Sequence, residues 1–222
     1  MAADLKSQEE CKNMKKMTCK ICRRAGEKLF LKGERCFSPK CAMIRKPYPP
    51  GQKGKRRKRP PSEYAQELRE KQKLKNWYNM AEKQFKNYVR ELLDKRGKME
   101  DAPLLLIKKL ESRLDNTIFR LGFALSRRKA RSLVSHSYFL VNGKAVNIPS
   151  FCLKKGDIIS LKPHKLKKSI VKEFNQLMKK HNPPAWLKLN KEKLEGEVIG
   201  EVSLEEVAPP VKLLSIFEFY SR

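Results

Sequence analysis

The sequence predicts an α+β protein: a mostly helical body, a metal-bearing N-terminal segment, and an inserted small module of helix plus antiparallel sheet. Three observations predict it. Apolar residues recur at helical spacing from about residue 63 to residue 135, the pattern changes to strand alternation after Tyr138, and four cysteines stand in two close pairs before residue 54. At 222 residues the chain is long enough for two small cores.

The N-terminal segment, residues 1–54, is rich in Cys, Lys and Pro and has no sustained apolar period, so something other than an apolar core must order it. Cys19 and Cys22 are separated by two residues, Cys36 and Cys41 by four, with thirteen between the pairs. Two short chelating loops of this kind bring four thiolates to the corners of a tetrahedron about 2.3 Å from Zn2+, leaving no position for a catalytic water. The expected role is structural, with metal binding coupled to folding. An iron-sulfur cluster takes the same ligands and stays open at this point. Lys20, Arg23, Arg24, Lys40 and Arg45 would offset the thiolate charge. Cys11 fits no second chelate loop, and Cys152, between Phe151 and Leu153, is expected to be buried or half-buried.

The helical domain, residues 55–110, opens after the basic run Lys55–Arg59. Ser62 is placed to cap a helix reaching about Lys75, with Glu63 favouring its positive end. A second helix is expected from about Ala81 to Lys95, with Phe85, Tyr88 or Val89, and Leu92 at helical spacing before Gly97. A third, from about Pro103 to Leu121, aligns Leu106, Leu110, Leu114, Ile118 and Leu121, and Gly122 ends it. Residues 111–178 form the module. Ser126 caps a short helix, Arg127 to about Ser135, that turns Ala130, Leu133 and Val134 inward. Tyr138–Val141 and Lys144–Ile148 flank Asn142-Gly143, a pair suited to the positive φ angles of a type I′ hairpin turn. Gly156-Asp157 leads into a third strand, Ile158–Leu161. Residues 165–180 read as a basic helix, with Ile170, Phe174, Leu177 and Met178 on one side. In residues 179–222, the apolar run Val211–Tyr220 is expected to pack back on the helical domain.

Charge narrows the function. Lys and Arg number 52 against 24 Asp and Glu, a formal net charge of +28 where a small domain usually carries roughly 2 to 8 units. Residues 1–60 hold 19 cations and 5 acids, while residues 183–222 hold 5 and 7, so one part of the surface should face a polyanion. No run approaches the ~18 apolar residues that span a bilayer, and the first ten residues lack the apolar core of a signal peptide. A cytoplasmic nucleic-acid binder is expected. The N–H groups at the start of the 127–135 helix suit a phosphate, which Arg127 and Arg128 would clasp. A-form RNA hides its base edges, so backbone shape is the signal to be read. Catalysis has no support: His136, His164 and His181 have no partner spacing, and no Gly-rich loop follows a strand. The runner-up, an RNA-modifying enzyme of the pseudouridine synthase class, would need a further catalytic domain. A zinc-dependent DNA-binding regulator lacks an evident major-groove helix.

The segment ESRLDNTIFRLGFALSRRKARSLVSHSYFLVNGKAVNIPS, followed by LKKGDIISL, resembles the RNA-binding module named after the fourth family of small ribosomal subunit proteins. The stretch from Cys19 to Tyr78 resembles the N-terminal half of the bacterial-type family in its zinc-bearing form, and EFYSR resembles the family's C-terminus. The resemblance implies a structural protein that binds small-subunit (16S-type) rRNA at a multi-helix junction and nucleates assembly. It also implies proximity to small-subunit proteins five and twelve, an effect on decoding accuracy, contact with mRNA on its path into the ribosome, and in some members repression of their own messenger. The path-lining residues match Lys55, Arg56, Arg57, Lys58 and Arg59, although PGQKG carries Lys53 where many relatives have histidine. The remaining candidate RNA contacts are Arg69, Lys71 and Lys73 in the first helix, and Arg113, Arg120, Ser126, Arg127, Arg128, Lys129, Arg131, His136 and Lys144 in the module. Residues Met1–Thr18 are read as a basic arm.

Overall fold

Leu106, Ile107, Leu110, Leu114, Ile118 and Leu121 are fully buried, and the rest of the chain is arranged around that stripe. The computed structural model describes residues 18–52, 54, 60–94, 102–165, 174, 177–178 and 181–221. The N-terminal segment contributes α1 (18–25), a 3₁₀ turn at Gly33–Cys36 and α2 (Ala42–Arg45). Two longer helices follow, α3 (Glu63–Trp77) and α4 (Glu82–Asp94). Ser62 caps α3 by accepting a hydrogen bond from the Ala65 amide at 3.4 Å. The expected end of the second helix, at Lys95 to Gly97, lies outside the described residues.

The helix expected over 103–121 is two helices, α5 (Ala102–Glu111) and α6 (Leu114–Arg120). Arg113 is extended (φ −69°, ψ 137°) because residues 112–115 pair with a loop from the module. The Leu114 amide donates to the Phe151 carbonyl at 2.8 Å, the Leu153 amide to the Ser112 carbonyl at 2.8 Å, and Arg113 bridges Cys152. The five positions expected to align, Leu106, Leu110, Leu114, Ile118 and Leu121, all stay buried across the break, which explains why periodicity alone concealed it. The same pairing leaves Cys152 exposed, where a buried or half-buried side chain was expected. Gly122, at φ 85°, closes α6: its amide reaches the Phe119 carbonyl, while that of Phe123 reaches Ile118, the two bonds of a Schellman end.

Helix α7 (Arg127–Ser135) packs on α6, and the hairpin β1 (Phe139–Val141) and β2 (Lys144–Ala145) follows it. Asn142 and Gly143 take positive φ angles of 49° and 78°, as the turn requires. Strand β2 stops at Ala145, short of the expected Ile148, as the chain departs toward its pairing with the α5–α6 break. Strand β3 (Ile158–Leu161) pairs antiparallel with β1, Phe139 opposite Leu161. The sheet then continues with two strands the sequence reading missed, β4 (Leu187–Asn190) and β5 (Glu195–Val198), in the order β2-β1-β3-β5-β4. Gly196 lets β5 lie against the core, since a Cβ there would stand 2.4 Å from a Leu121 methyl carbon. Of the helix expected over 165–180, Phe174, Leu177 and Met178 are described as helical, with Phe174 and Met178 buried; the others from 166 to 180 lie outside the described residues.

After α8 (Leu204–Val207), α9 (Leu213–Ser221) packs against α3 and α4. Ile216 and Phe217 enter the core, and the Tyr220 hydroxyl donates to Glu82 at 3.0 Å.

Candidate nucleic-acid interface and cysteine cradle

Ser126 stops the chain in an extended conformation and its hydroxyl accepts from the Lys129 amide at 3.3 Å, so α7 begins where the sequence places it. Successive residues of a helix point about 100° apart, and the first turn of α7 sorts its cations accordingly. Lys129 is exposed and Arg128 half-buried, its Nη1 donating to the Thr18 hydroxyl at 3.3 Å. Arg131 is partly exposed and faces Asp115 at 3.7 Å and the Asn79 carbonyl at 3.4 Å. No acidic residue lies in the helix, and His136 sits exposed at its C-terminal end. Lys144 is exposed in β2, and Lys154 and Lys155, which the sequence reading did not select, are exposed before β3.

Arg127 departs from expectation. It is 9% exposed, too enclosed to clasp a phosphate from solution. Its guanidinium lies 3.9 Å from the Trp77 ring centre and 4.7 Å from that of Phe119, and Nε donates to Asn116 Oδ1 at 2.7 Å. Ser126 is also buried, its hydroxyl spent on the cap. Arg113 is enclosed as well: it holds Asp115 through two hydrogen bonds, at 3.1 and 2.8 Å, and donates to the Tyr88 hydroxyl at 3.1 Å. Arg120 makes a two-pronged pair with Glu111, at 3.0 and 2.9 Å. These residues form an internal charge layer where α5, α6 and α7 meet.

Glu111 is the acceptor at the centre of that layer, and the sequence reading missed it. Besides Arg120 it receives the Tyr78 hydroxyl at 2.7 Å and the Asn116 side-chain amide. Burial opposes its ionisation, yet the hydrogen bonds and charge of Arg120, with Arg127 beyond, hold it below the usual carboxylate range. Arg120, in direct contact, is raised. Arg127, whose Nη2 is 3.9 Å from Glu111, gains less than burial removes and is pushed down to about 10. Burial also raises Tyr78 well above its ordinary value. The available signal was an acid and an amide, Glu111 and Asn116, inside an otherwise apolar stripe.

On α3, Arg69 is exposed. Lys71 is buried, bonded to Glu82 at 2.6 Å and 4.4 Å from the Phe219 ring centre; Lys73 bridges Glu27 at 2.7 Å and Glu70 at 2.8 Å. Both expected RNA contacts are therefore engaged within the protein. Lys55, Arg56, Arg57, Lys58 and Arg59 lie outside the described residues, as do Cys11 and the arm up to residue 17.

Cys19, Cys22, Cys36 and Cys41 line one cavity of about 20 Å³. Cys22, Cys36 and Cys41 are buried, and none of the four is in a disulfide. Burial raises Cys22 and Cys36, and the neighbouring sulfurs raise them further. The donor type and number suit a tetrahedral metal, although among the described residues no three His, Cys, Asp or Glu side chains stand at ligand geometry.

Comparison with known proteins covers nearly the whole chain. Residues 13–111 match the family model "Ribosomal protein S4/S9 N-terminal domain", and residues 112–159 match the "S4 domain". The chain is similar to "Small ribosomal subunit protein uS4" of Thermus thermophilus, 47% identical over 204 residues, 92% of this chain and 96% of the relative. The proteins of that name from Halothermothrix orenii, at 47% over 204 residues, and Thermotoga petrophila, at 45% over 205, cover the same shares of each chain.

Proposed function

The chain belongs to the uS4 family of small ribosomal subunit proteins, and from that membership we propose that it grips small-subunit rRNA with the outward cations of α7 and of the sheet. It is a structural ribosomal protein rather than an enzyme. The observation that carries the reading is the composition of α7: a cationic helix with no acid in its own sequence, its start fixed by Ser126, with Lys129 exposed and Arg128 half-buried. Exposed amides and guanidinium groups at a helix start meet phosphate oxygens with little rearrangement. Lys144, Lys154 and Lys155 extend the field beyond the helix.

The finer assignments follow from the family. The chain binds at a multi-helix junction of 16S-type rRNA and nucleates assembly, lies beside small-subunit proteins five and twelve, and affects decoding accuracy. Lys55 to Arg59 meet incoming mRNA, and repression of its own messenger belongs to the same set. Its location is the small subunit of a bacterial-type ribosome. Cross-linking on intact small subunits tests the main reading: adducts to rRNA should concentrate on peptides carrying Arg128, Lys129 and Lys144. Adducts confined to the acidic C-terminal segment would contradict it.

The cysteine cradle holds a structural Zn2+, with Cys19, Cys22, Cys36 and Cys41 as ligands. Two features support this: four thiols share one small cavity, and their mutual repulsion in a buried setting calls for a cation to stabilise the thiolates. When bound, the metal supplies a cross-link between α1 and the 3₁₀ turn with α2. Elemental analysis should find one zinc per chain, lost in Cys36→Ser. Visible absorbance with iron in place of zinc would identify a cluster instead.

A further inference from the structure

Between the N-terminal segment and α7 runs an open groove of about 580 Å³, within the ~300–1,000 Å³ usual for ligand sites. One side is built from Ile21, Leu29 and Phe30, the other from α7, and Trp77, Met80 and Phe119 supply further apolar surface. Among the described residues its lining includes three arginines, Arg127, Arg128 and Arg131, and no carboxylate. The amides of Asn76 and Asn79 and the hydroxyls of Ser132 and Ser135 add donors and acceptors. The groove thus pairs aromatic and apolar side chains with cations, the two demands that a nucleotide makes with its base and its phosphate.

Phe30 is 44% exposed and held at φ 50°, in the left-handed region that a bulky residue seldom occupies. Its ring stacks on that of Phe37, centres 4.9 Å apart, and Phe37 is still more exposed. Lys28, Arg35 and Lys40 around this pair are exposed too. An apolar peptide offers these arginines no acceptor, and residues 1–17, with Lys6, Lys12, Lys15 and Lys16 against Asp4, Glu9 and Glu10, bring little net charge and, among their side chains, no aromatic ring.

We infer that this groove receives the extruded base of one unpaired nucleotide of the bound rRNA, with Arg128 and Arg131 at its phosphates. The inference rests on the RNA-binding reading and deepens it. The groove is lined by residues from both matched regions, 13–111 and 112–159, so one inserted base would tie the N-terminal half to the module. Recognition would come from stacking and shape, and insertion would select an RNA fold that presents an unpaired nucleotide there.

An abasic scan across the unpaired positions of a bound rRNA fragment tests this with the full chain. One position should weaken binding by about 5- to 150-fold in the wild-type protein, the range of base–aromatic stacking. In Ser132→Trp, which fills the groove from an exposed position on α7, the same base removal should have no effect. Ser135→Phe is the second filling variant should the first unfold. A penalty equal in wild-type and filled proteins, or no sensitive position at all, would overturn the inference while leaving RNA binding intact. Failure of wild-type protein to bind the fragment would instead sink the underlying reading. Adenosine monophosphate serves as the free-nucleotide probe: erasure of the wild-type base effect at low millimolar concentration would make this a free-nucleotide site and overturn the RNA-borne version. Ultraviolet cross-linking should join rRNA to peptides containing Phe30 or Trp77; cross-links there to residues 1–17 or to another protein would also overturn it.

Discussion

Arg127 and Arg128 are neighbours in sequence and in helical turn, yet one is sealed over Trp77 and the other reaches the surface. The contrast extends to whole regions. Inside, at the meeting of α5, α6 and α7, Arg113 and Arg120 are paired with Asp115 and Glu111, and Arg127 donates to the neutral Asn116 amide. Outside, α7 shows cations with no acid of its own. Net charge therefore does not count RNA contacts: part of the arginine content holds the fold that displays the rest.

The largest blow to the inner layer is Glu111→Ala. It strands Arg120 and Arg127 in a buried space and should cost about 3–5 kcal/mol of unfolding free energy by urea titration. A loss below about 1 kcal/mol would break the comparison. Next is Arg127→Ala, which removes a cation stacked on two aromatic rings and leaves Asn116 without its donor. About 2 kcal/mol is expected, with Trp77 emission shifted. Ser126→Ala deletes the cap and should cost about 0.5–2 kcal/mol, loosening the α7 amides in hydrogen exchange.

A gentler probe is pH. Burial raises Glu82, but hydrogen bonds from Lys71, Lys75 and Tyr220 outweigh it and lower the carboxyl from 4.5 to about 2. A depressed carboxylate pKa contributes stability above the unfolded value, and that contribution fades as pH falls from about 4.5 toward 2. Glu82→Gln should flatten this acid limb in thermal melts; an unchanged limb would assign it elsewhere. The smallest stability change belongs to Arg128→Ala, within about 0.5 kcal/mol of wild type.

What the sequence disclosed was local. Ser126 and Asn142-Gly143 specify their cap and turn through chemistry confined to a few residues, so α7 and the hairpin were legible. The break at Arg113 was not, because its cause is a distant loop, residues 149–153, and the leucine stripe survives it. Strands β4 and β5 were hidden by Lys188, Asn190, Glu195 and Glu197, whose polarity reads as a loop until β3 supplies an edge to pair with. The site divides the same way. Lys129 and Lys144 stand exposed where their pattern places them, whereas the inward turn of Arg127 depends on Asn116 and Trp77, partners that periodicity does not reveal.

The most direct measurement is the salt dependence of rRNA affinity for two near-isosteric variants, Arg127→Met and Arg128→Met. The account predicts that Arg128→Met lowers the slope of log K against log salt by about 0.7 to 0.9, one phosphate contact, while Arg127→Met leaves the slope of its folded fraction unchanged. A slope lost in Arg127→Met and kept in Arg128→Met would contradict the division between inner and outer cations.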